Sequence, residues 1–227
     1  RPVEDILEQS REAVRGGSRE LVLTGVNMSR YREDGVDFAT LVERIVEIPG
    51  DFRLRISSLE PDSLDDRFVE LFSHPKMAPH LHLCLQSGSD RILLQMRRMY
   101  TVGGFRDIVE RIRRRYPEFN LTTDLIVGFP GEDEEEFRKS LAVAEELRFS
   151  HIHTFPYSRR QGTRADRMSD QVPEREKQKR GRAVRELSER MKREIRSGFV
   201  GKRQRLLVER VESVKGRTVA RGLGEHY

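Results

Sequence analysis

The chain has 227 residues, of which 36% are charged and 36% are hydrophobic, with 11 Phe, a single Cys and a formal net charge of +5. This length allows one large domain with a buried core, or such a domain with a small appendage. The sequence has no run of about 18 apolar residues, which excludes a membrane span, and one cysteine excludes both a disulfide framework and a cysteine-ligated cluster built from this chain alone. We therefore expect a cytoplasmic protein.

The hydrophobic pattern alternates between helix and strand signals along the chain. Apolar residues at three- and four-residue spacing predict helices, and short apolar or alternating runs that end near glycine predict strands. The predicted helices cover 3–15, 38–48, a short segment marked by Phe68, Leu71 and Phe72, 89–98, 104–116 and 133–147. The predicted strands cover 20–26, 53–59, 80–86, 120–129 and 151–155.

Strands that alternate with helices imply parallel pairing through crossover helices, so the fold class is α/β, either a barrel or a doubly wound sheet. No Gly-x-Gly-x-x-Gly fingerprint follows the first strand, which disfavours a dinucleotide-binding fold. Polar residues stand at the carboxyl end of every predicted strand, where a (β/α) barrel collects its ligands. These residues are Thr24, Asn27, Ser57, Ser58, Glu60, Gln86, Ser87, Asp124, Tyr157 and Ser158.

The pattern changes after residue 159. A polar loop leads to a long predicted helix at 174–199, and two short predicted strands follow at 205–211 and 217–221. Residues 159–205 hold 17 Lys or Arg against 7 Asp or Glu, a net +10, so the rest of the chain carries −5. This asymmetry predicts an RNA-binding surface that includes Arg180, Arg182 and Arg185, with a merely solvated helix as the alternative.

Two segments carry the most specific chemistry. In Asp124-Leu-Ile-Val-Gly-Phe-Pro-Gly-Glu132, Gly128 would let a ligand approach the strand end and Gly131 would permit a turn with positive φ. In Gln86-Ser-Gly-Ser-Asp90, neutral donors and acceptors suit ribose hydroxyls, although Ser89 or Asp90 would equally serve as a helix N-cap. Arg98 would end the helix that begins there and could clamp a carboxylate.

The histidines form two pairs, His80 with His82 and His151 with His153, each alternating onto one strand face. No acidic third ligand has suitable spacing, so rim or surface positions are favoured over a metal site. Cys84 has no neighbour at ligand spacing and is predicted to be a small core residue.

Together these segments closely resemble the radical S-adenosylmethionine methylthiotransferases over about residues 1–200. The motifs that carry the resemblance are Thr24-Gly-Val-Asn27, Arg55-Ile-Ser-Ser-Leu-Glu-Pro61, Gln86-Ser-Gly-Ser-Asp90, Met96-x-Arg98-x-Tyr-Thr101, the 124–132 segment and Phe155-Pro-Tyr-Ser158. The first and last of them look most like the branch that modifies threonylcarbamoyladenosine in tRNA, and less like the isopentenyladenosine and ribosomal-protein branches.

The resemblance implies a partial (β/α) TIM-type barrel at 1–172, a basic helix at 173–200 that completes or flanks it, and the start of a TRAM-like RNA-binding β-domain at 201–227. It also implies S-adenosylmethionine, two 4Fe-4S clusters, a tRNA anticodon stem-loop as substrate, and an electron donor such as flavodoxin or ferredoxin. Neither cysteine set of the family is present, so we expect the chain to begin just downstream of the cluster loop and to be inactive alone.

On matching positions, the resemblance places eleven residues around S-adenosylmethionine. Gly25, Asn27 and Glu60 would face its methionine moiety, with Arg98 near the carboxylate. Gln86 and Ser87 would face the ribose. The adenine would lie against Ile126, Val127, Gly128, Phe155 and Tyr157.

Two hypotheses from other functional classes remain possible from the residues alone. One is an iron-independent (β/α) barrel enzyme that acts on a small metabolite, which the polar strand ends would permit. The other is an RNA-binding module. The basic stretch would permit this function, but RNA binding alone does not explain the polar residues at the strand ends.

Overall fold

A computed structural model of the chain describes residues 1–61 and 64–226. The helices are α1 (Val3–Arg15), α2 (Phe38–Val46), α3 (Asp66–Glu70), α4 (Asp90–Gln95), α5 (Val102–Arg115), α6 (Glu134–Leu147) and α7 (Glu174–Ser197). The strands are β1 (Glu20–Leu23), β2 (Arg32–Glu33), β3 (Val36–Asp37), β4 (Arg53–Leu59), β5 (Met77–Leu83), β6 (Asn120–Val127), β7 (His151–Pro156), β8 (Leu206–Val214) and β9 (Arg217–Gly224).

The main sheet decides between the two predicted architectures. Its strands are all parallel and follow the order β1-β4-β5-β6-β7, which is also their order along the chain. Right-handed crossovers between strands in this order put every crossover helix on the same face, whereas a doubly wound sheet needs a reversal of the strand order. The α/β fold is therefore confirmed, and its winding is that of a partial barrel.

The two faces of this sheet differ in chemistry. The face beneath the helices packs apolar side chains such as Leu54, Leu81 and Leu121 into the hydrophobic core. The inner face carries polar side chains at the alternate positions of β4, β5 and β6, including Arg55, His82 and Thr122, which are also buried. Because side chains alternate between faces along a strand, the polar positions in these three strands line the inside of the partial barrel.

Side-chain caps define where several helices begin. The carboxylate of Asp37 accepts the Thr40 amide at 2.8 Å, and that of Asp133 accepts the Glu136 amide at 2.9 Å. The hydroxyls of Ser89 and Thr101 accept the Ile92 and Gly104 amides in the same way. These caps satisfy amides that have no partner within the first turn. Ser89 is thus the N-cap of α4, as one of the two sequence readings proposed.

Helix α7 and the β8–β9 hairpin follow the main sheet along the chain. The amide of Ile152 on the outer strand β7 donates to the Ser188 hydroxyl of α7 at 3.0 Å. At the amino ends of the strands, Arg53 donates to the Leu223 carbonyl at 2.9 Å and Arg55 to the Gly224 carbonyl at 3.0 Å. Glu20 of β1 pairs with both guanidinium groups. The end of the hairpin therefore lies against the base of the partial barrel.

Within the described residues, none of the helices combines the length and the apolar character that crossing a membrane requires.

Candidate active site

The carboxyl ends of the parallel strands carry the residues that the sequence singled out. Gly25 and Asn27 follow β1, and both are exposed. Asn27 adopts the left-handed backbone conformation with φ of 52°, just before a 3-10 turn at Met28–Arg30. Both residues line a cavity of about 1150 Å³ that α1 and β1 also border.

Glu60 and Arg98 form an ion pair at this edge of the sheet. Arg98 Nη1 donates to Glu60 Oε1, and the two side chains are 26% and 30% exposed. Glu60 directly follows β4, whereas Arg98 lies beyond α4, so only the fold brings them together. The pair offers one carboxylate and one guanidinium to the same space, which suits a zwitterionic ligand such as an amino acid moiety.

Gln86 lies just beyond the end of β5 and pairs with β6 through its backbone. Its amide donates to the Asp124 carbonyl and its carbonyl accepts the Ile126 amide, both at 2.9 Å. Its φ of 62° is unusual for a residue other than glycine. The backbone of Gln86 is thus fixed at the strand end.

The structure corrects the expected role of Ser87. Its side chain is 1% exposed, and its hydroxyl lies 3.3 Å from that of Ser140 in α6. The Ser89 amide donates to the same hydroxyl at 3.2 Å. A cofactor ribose could not reach this group, because the turn packs against α6 so closely that a Cβ on Gly88 would lie 2.5 Å from the Ser140 backbone.

The positions expected around adenine divide into two sets. Ile126 and Phe155 are register partners on β6 and β7, Phe155 is 51% exposed, and the hydroxyl of half-buried Tyr157 has no hydrogen-bond partner within the described residues. Val127 by contrast is 2% exposed and points into the core. Ile126, Phe155 and Tyr157 can therefore offer side chains to a ligand, whereas Val127 can offer only its backbone.

Gly128 is close to a protein side chain rather than to open space. Its φ is 72°, and a Cβ there would lie 2.4 Å from Cγ of Lys177 in α7. Lys177 is buried, and its ammonium group lies 5.4 Å from the centre of the Tyr157 ring. The lack of a side chain at Gly128 therefore makes room for Lys177 of α7, and the expected ligand approach at Gly128 stays a prediction. Gly131 has the expected positive φ of 84°.

The structure also contradicts the expected contact of Arg180 with RNA. Its Nη1 donates at 2.8 Å to both the carboxylate and the backbone carbonyl of Glu132, and the side chains of the pair are 7% and 1% exposed. An arginine enclosed in this way cannot contact RNA. Arg182 and Arg185 are exposed, as the prediction requires, and neither forms an ion pair within the part of the chain that the structure describes.

The inner face of the partial barrel holds a cluster that sequence reasoning missed. His82 Nε2 lies 3.1 Å from Oδ1 of Asp124, and the thiol of Cys84 lies 3.9 Å from Oδ2. Burial and the Asp124 charge raise the pKa of Cys84 to about 12. His80 and His82 are buried here, whereas rim or surface positions were expected, and burial lowers the pKa of His80 to about 3. The acidic third ligand, which residue spacing did not reveal, is Asp124 on the adjacent strand β6.

These features define the class of protein. The model of the Radical SAM superfamily matches residues 1–144, more than half of the chain, so the chain belongs to that superfamily. Its relatives include the threonylcarbamoyladenosine tRNA methylthiotransferase MtaB of Thermotoga maritima, which is 39% identical over 92% of this chain. The tRNA-2-methylthio-N(6)-dimethylallyladenosine synthase of Acetivibrio thermocellus is 42% identical over 93% of this chain. The chain covers 49% and 45% of these two proteins, about half of their length.

Solved structures agree with the fold. Coproporphyrinogen III oxidase HemN of Escherichia coli, a radical SAM enzyme, superposes with a TM-score of 0.64 at 14% identity, covering 83% of this chain and 46% of that one. TsrM of Kitasatospora setae, solved with cobalamin and a [4Fe-4S] cluster, gives a TM-score of 0.57 at 15% identity over 69% of this chain and 29% of its own. At these identities the structures show the fold alone.

The residues of this chain fit S-adenosylmethionine better than they fit an iron–sulfur cluster. A [4Fe-4S] cluster requires several cysteine thiolates, and Cys84 is the chain's single cysteine and is buried. A cluster therefore does not fit these residues. S-adenosylmethionine fits better, because the Glu60–Arg98 pair, the exposed Phe155 ring and the unpartnered Tyr157 hydroxyl lie at the carboxyl edge of one sheet.

Proposed function

We propose that this chain forms the S-adenosylmethionine-binding barrel of a tRNA methylthiotransferase. The observation that carries the proposal is the match to such enzymes over more than nine-tenths of the chain, at identities of 39% and 42%. A barrel acting on a small metabolite would not account for that match, and neither would a module that only binds RNA.

In this proposal, Gly25, Asn27, Glu60 and Arg98 would hold the methionine moiety, Gln86 the ribose, and Ile126, Phe155 and Tyr157 the adenine. When bound, S-adenosylmethionine supplies the radical chemistry needed at C2 of an N6-modified adenosine. The residues of this chain orient the cofactor and keep water from it, since a protein that uses such a cofactor contributes binding, orientation and electrostatics. The two 4Fe-4S clusters would need cysteines other than Cys84, and flavodoxin or ferredoxin would supply electrons.

We further propose threonylcarbamoyladenosine beside the tRNA anticodon as the target, on the likeness of Thr24-Gly-Val-Asn27 and Phe155-Pro-Tyr-Ser158 to that branch. Dimethylallyladenosine is the second candidate, because relatives of both kinds match at similar identity.

Deleting the gene and measuring the nucleosides of total tRNA by mass spectrometry tests both statements. Loss of the 2-methylthio form of threonylcarbamoyladenosine, with its unthiolated parent accumulating, is the expected result. Loss of the methylthio form of dimethylallyladenosine instead would reassign the substrate, and unchanged levels of both would contradict the function. Complementation by the gene on a plasmid is the control for effects on neighbouring genes.

The exposed basic face of α7 is proposed to contact the RNA backbone. Replacing Arg182 and Arg185 together with glutamine should weaken tRNA binding and reduce the slope of log K against log salt by roughly 1.4 to 1.8, about 0.7–0.9 for each lost phosphate contact. Filter binding over a range of salt concentrations measures this slope.

The matched control replaces Arg44 of α2 and Arg114 of α5, which are also exposed arginines, and changes the charge equally. If both double variants lower affinity and slope to the same extent, α7 contributes only general charge and is not a specific RNA contact.

A further inference from the structure

The cluster inside the partial barrel brings together three different metal-binding groups. His82 and Cys84 stand at alternate positions at the end of β5, and Asp124 stands on the adjacent strand β6. The imidazole nitrogen, the thiol sulfur and a carboxylate oxygen all lie within 4.8 Å of one another. His82 and Cys84 are each 8% exposed, whereas the Asp124 side chain is 21% exposed.

The imidazole of His82 is held in the orientation that a ligand would need. Its Nδ1 lies 2.9 Å from the Thr122 hydroxyl, which fixes the ring, and its Nε2 points toward Asp124. Although only 3.1 Å separates Nε2 from the carboxylate, this nitrogen makes no hydrogen bond within the described residues. When Nδ1 donates its proton to the Thr122 hydroxyl, the lone pair lies on Nε2 and faces Asp124, which is the arrangement that metal-binding histidines use.

The distances suit a small tetrahedral ion. Bonds of about 2.0–2.3 Å to nitrogen, oxygen and sulfur put pairs of ligand atoms roughly 3.3–3.7 Å apart at tetrahedral angles. The observed separations are 3.1 Å from His82 Nε2 to Oδ1 of Asp124 and 3.9 Å from Cys84 Sγ to Oδ2, and all three ligand atoms lie within 4.8 Å of one another. Side-chain rotations that bring the thiol and one carboxylate oxygen nearer to the imidazole would therefore complete three ligand positions.

We propose that His82, Cys84 and Asp124 form a binding site for a divalent, thiol-seeking metal ion of the Zn²⁺ type, with the fourth ligand position open to solvent. On binding, the Cys84 thiol proton passes to the solvent and the sulfur binds as thiolate. One thiolate, one carboxylate and a divalent cation sum to zero charge, so binding leaves no net charge in this partly buried cluster.

This site adjoins the proposed S-adenosylmethionine site, since the charges of Glu60 and Arg98 both act on Cys84. Metal binding nevertheless needs neither S-adenosylmethionine nor tRNA, so the metal site can fail while the proposed function holds, and the reverse.

Cobalt(II) titration of the purified 227-residue chain tests the site. Since the chain has a single cysteine, a thiolate-to-cobalt charge-transfer band can come only from Cys84. We expect that band, together with intense visible d–d bands typical of a tetrahedral ion, to saturate at one cobalt per chain. Added Zn²⁺ should remove both sets of bands and raise the melting temperature.

Three variants give the test its controls. Cys84→Ser should abolish the charge-transfer band and the melting shift, and Asp124→Asn should weaken cobalt binding by at least about tenfold. His74→Gln removes a half-buried histidine that precedes β5, at the other end of the strand, and should bind cobalt as the wild type does. Wild-type protein without a thiolate band, or with only weak bands that persist in Cys84→Ser, would show adventitious surface binding and overturn the proposal.

Discussion

Replacing Arg180 with methionine is expected to lower the free energy of unfolding by about 3–5 kcal/mol, which is the usual cost of removing one partner from a buried ion pair. Arg180 and Glu132 are almost completely enclosed, and the Glu132 carboxylate also accepts the Gly128 amide at 2.8 Å. Without the guanidinium, this carboxylate is left charged in the interior. The melting temperature should fall by about 6 to 20 °C, measured by calorimetry.

The loss of stability in the Arg180→Met variant should depend on pH in a defined direction. Burial raises the pKa of the Glu132 carboxyl above its usual 4.5, against the opposing effects of the Gly128 amide and of Arg180. A group whose pKa is raised by folding contributes stability that is present below its unfolded pKa and is lost as pH rises through the folded pKa. Removing Arg180 raises the folded pKa of Glu132 further. The free energy of unfolding of the variant should therefore be lowered most at pH values above that folded pKa, and it should recover as the pH falls toward 4.5.

Two further variants separate the ion pair from general effects on α7. Arg182→Met changes an exposed arginine two positions away and should alter stability by less than about 0.5 kcal/mol. The double variant Arg180→Met with Glu132→Gln removes both charges and should regain much of the lost stability. If Arg180→Met were no less stable than Arg182→Met, the pair would not be buried in solution.

Under the proposed function, Arg98→Met and Glu60→Gln should each lower kcat/KM for methylthiolation roughly 10- to 100-fold. This range corresponds to the loss of one hydrogen bond to a charged group, about 1.5–3 kcal/mol. The cause would be that each side chain binds one end of the methionine moiety, so the KM for S-adenosylmethionine should rise in both variants. Steady-state assays with a tRNA substrate measure both constants.

A charge swap distinguishes binding from structure. The double variant Glu60→Arg with Arg98→Glu keeps an ion pair at the same place but exchanges its two ends. Activity should stay low if each group contacts the cofactor, even where the melting temperature returns to normal. Restored activity in the swapped enzyme would mean that the pair only stabilises the fold.

The fold was largely predictable because hydrophobic periodicity is a local property. The predicted strand at 53–59 coincides with β4, and the helix at 133–147 differs from α6 only by its N-cap, Asp133. Strand β5 begins earlier than the predicted 80–86, because the register between β4 and β5 is irregular around Pro79 and the sheet does not need that residue as a donor. The short β2–β3 hairpin was missed, although its Asp34-Gly35 turn, with φ of 47° and 76°, is a hairpin signal.

The site was harder to predict because exposure depends on tertiary packing. Sequence reasoning put Glu60 and Arg98 at the same edge but could not pair them. Arg180 was misplaced although a signal existed, since the buried stripe of α7 continues back through it from Val184 at helical spacing. Ser87 gave no such signal, because α6, which covers it, lies about 50 residues away in the sequence.

The contact between the β8–β9 hairpin and the base of the barrel bears on how the chain folds during synthesis. Arg53 and Arg55 find their carbonyl acceptors about 170 residues later in the chain. Until the ribosome has released that segment, these guanidinium groups can pair with Glu20 but lack the hairpin carbonyls. The base of the barrel therefore gains these contacts long after its strands have been made.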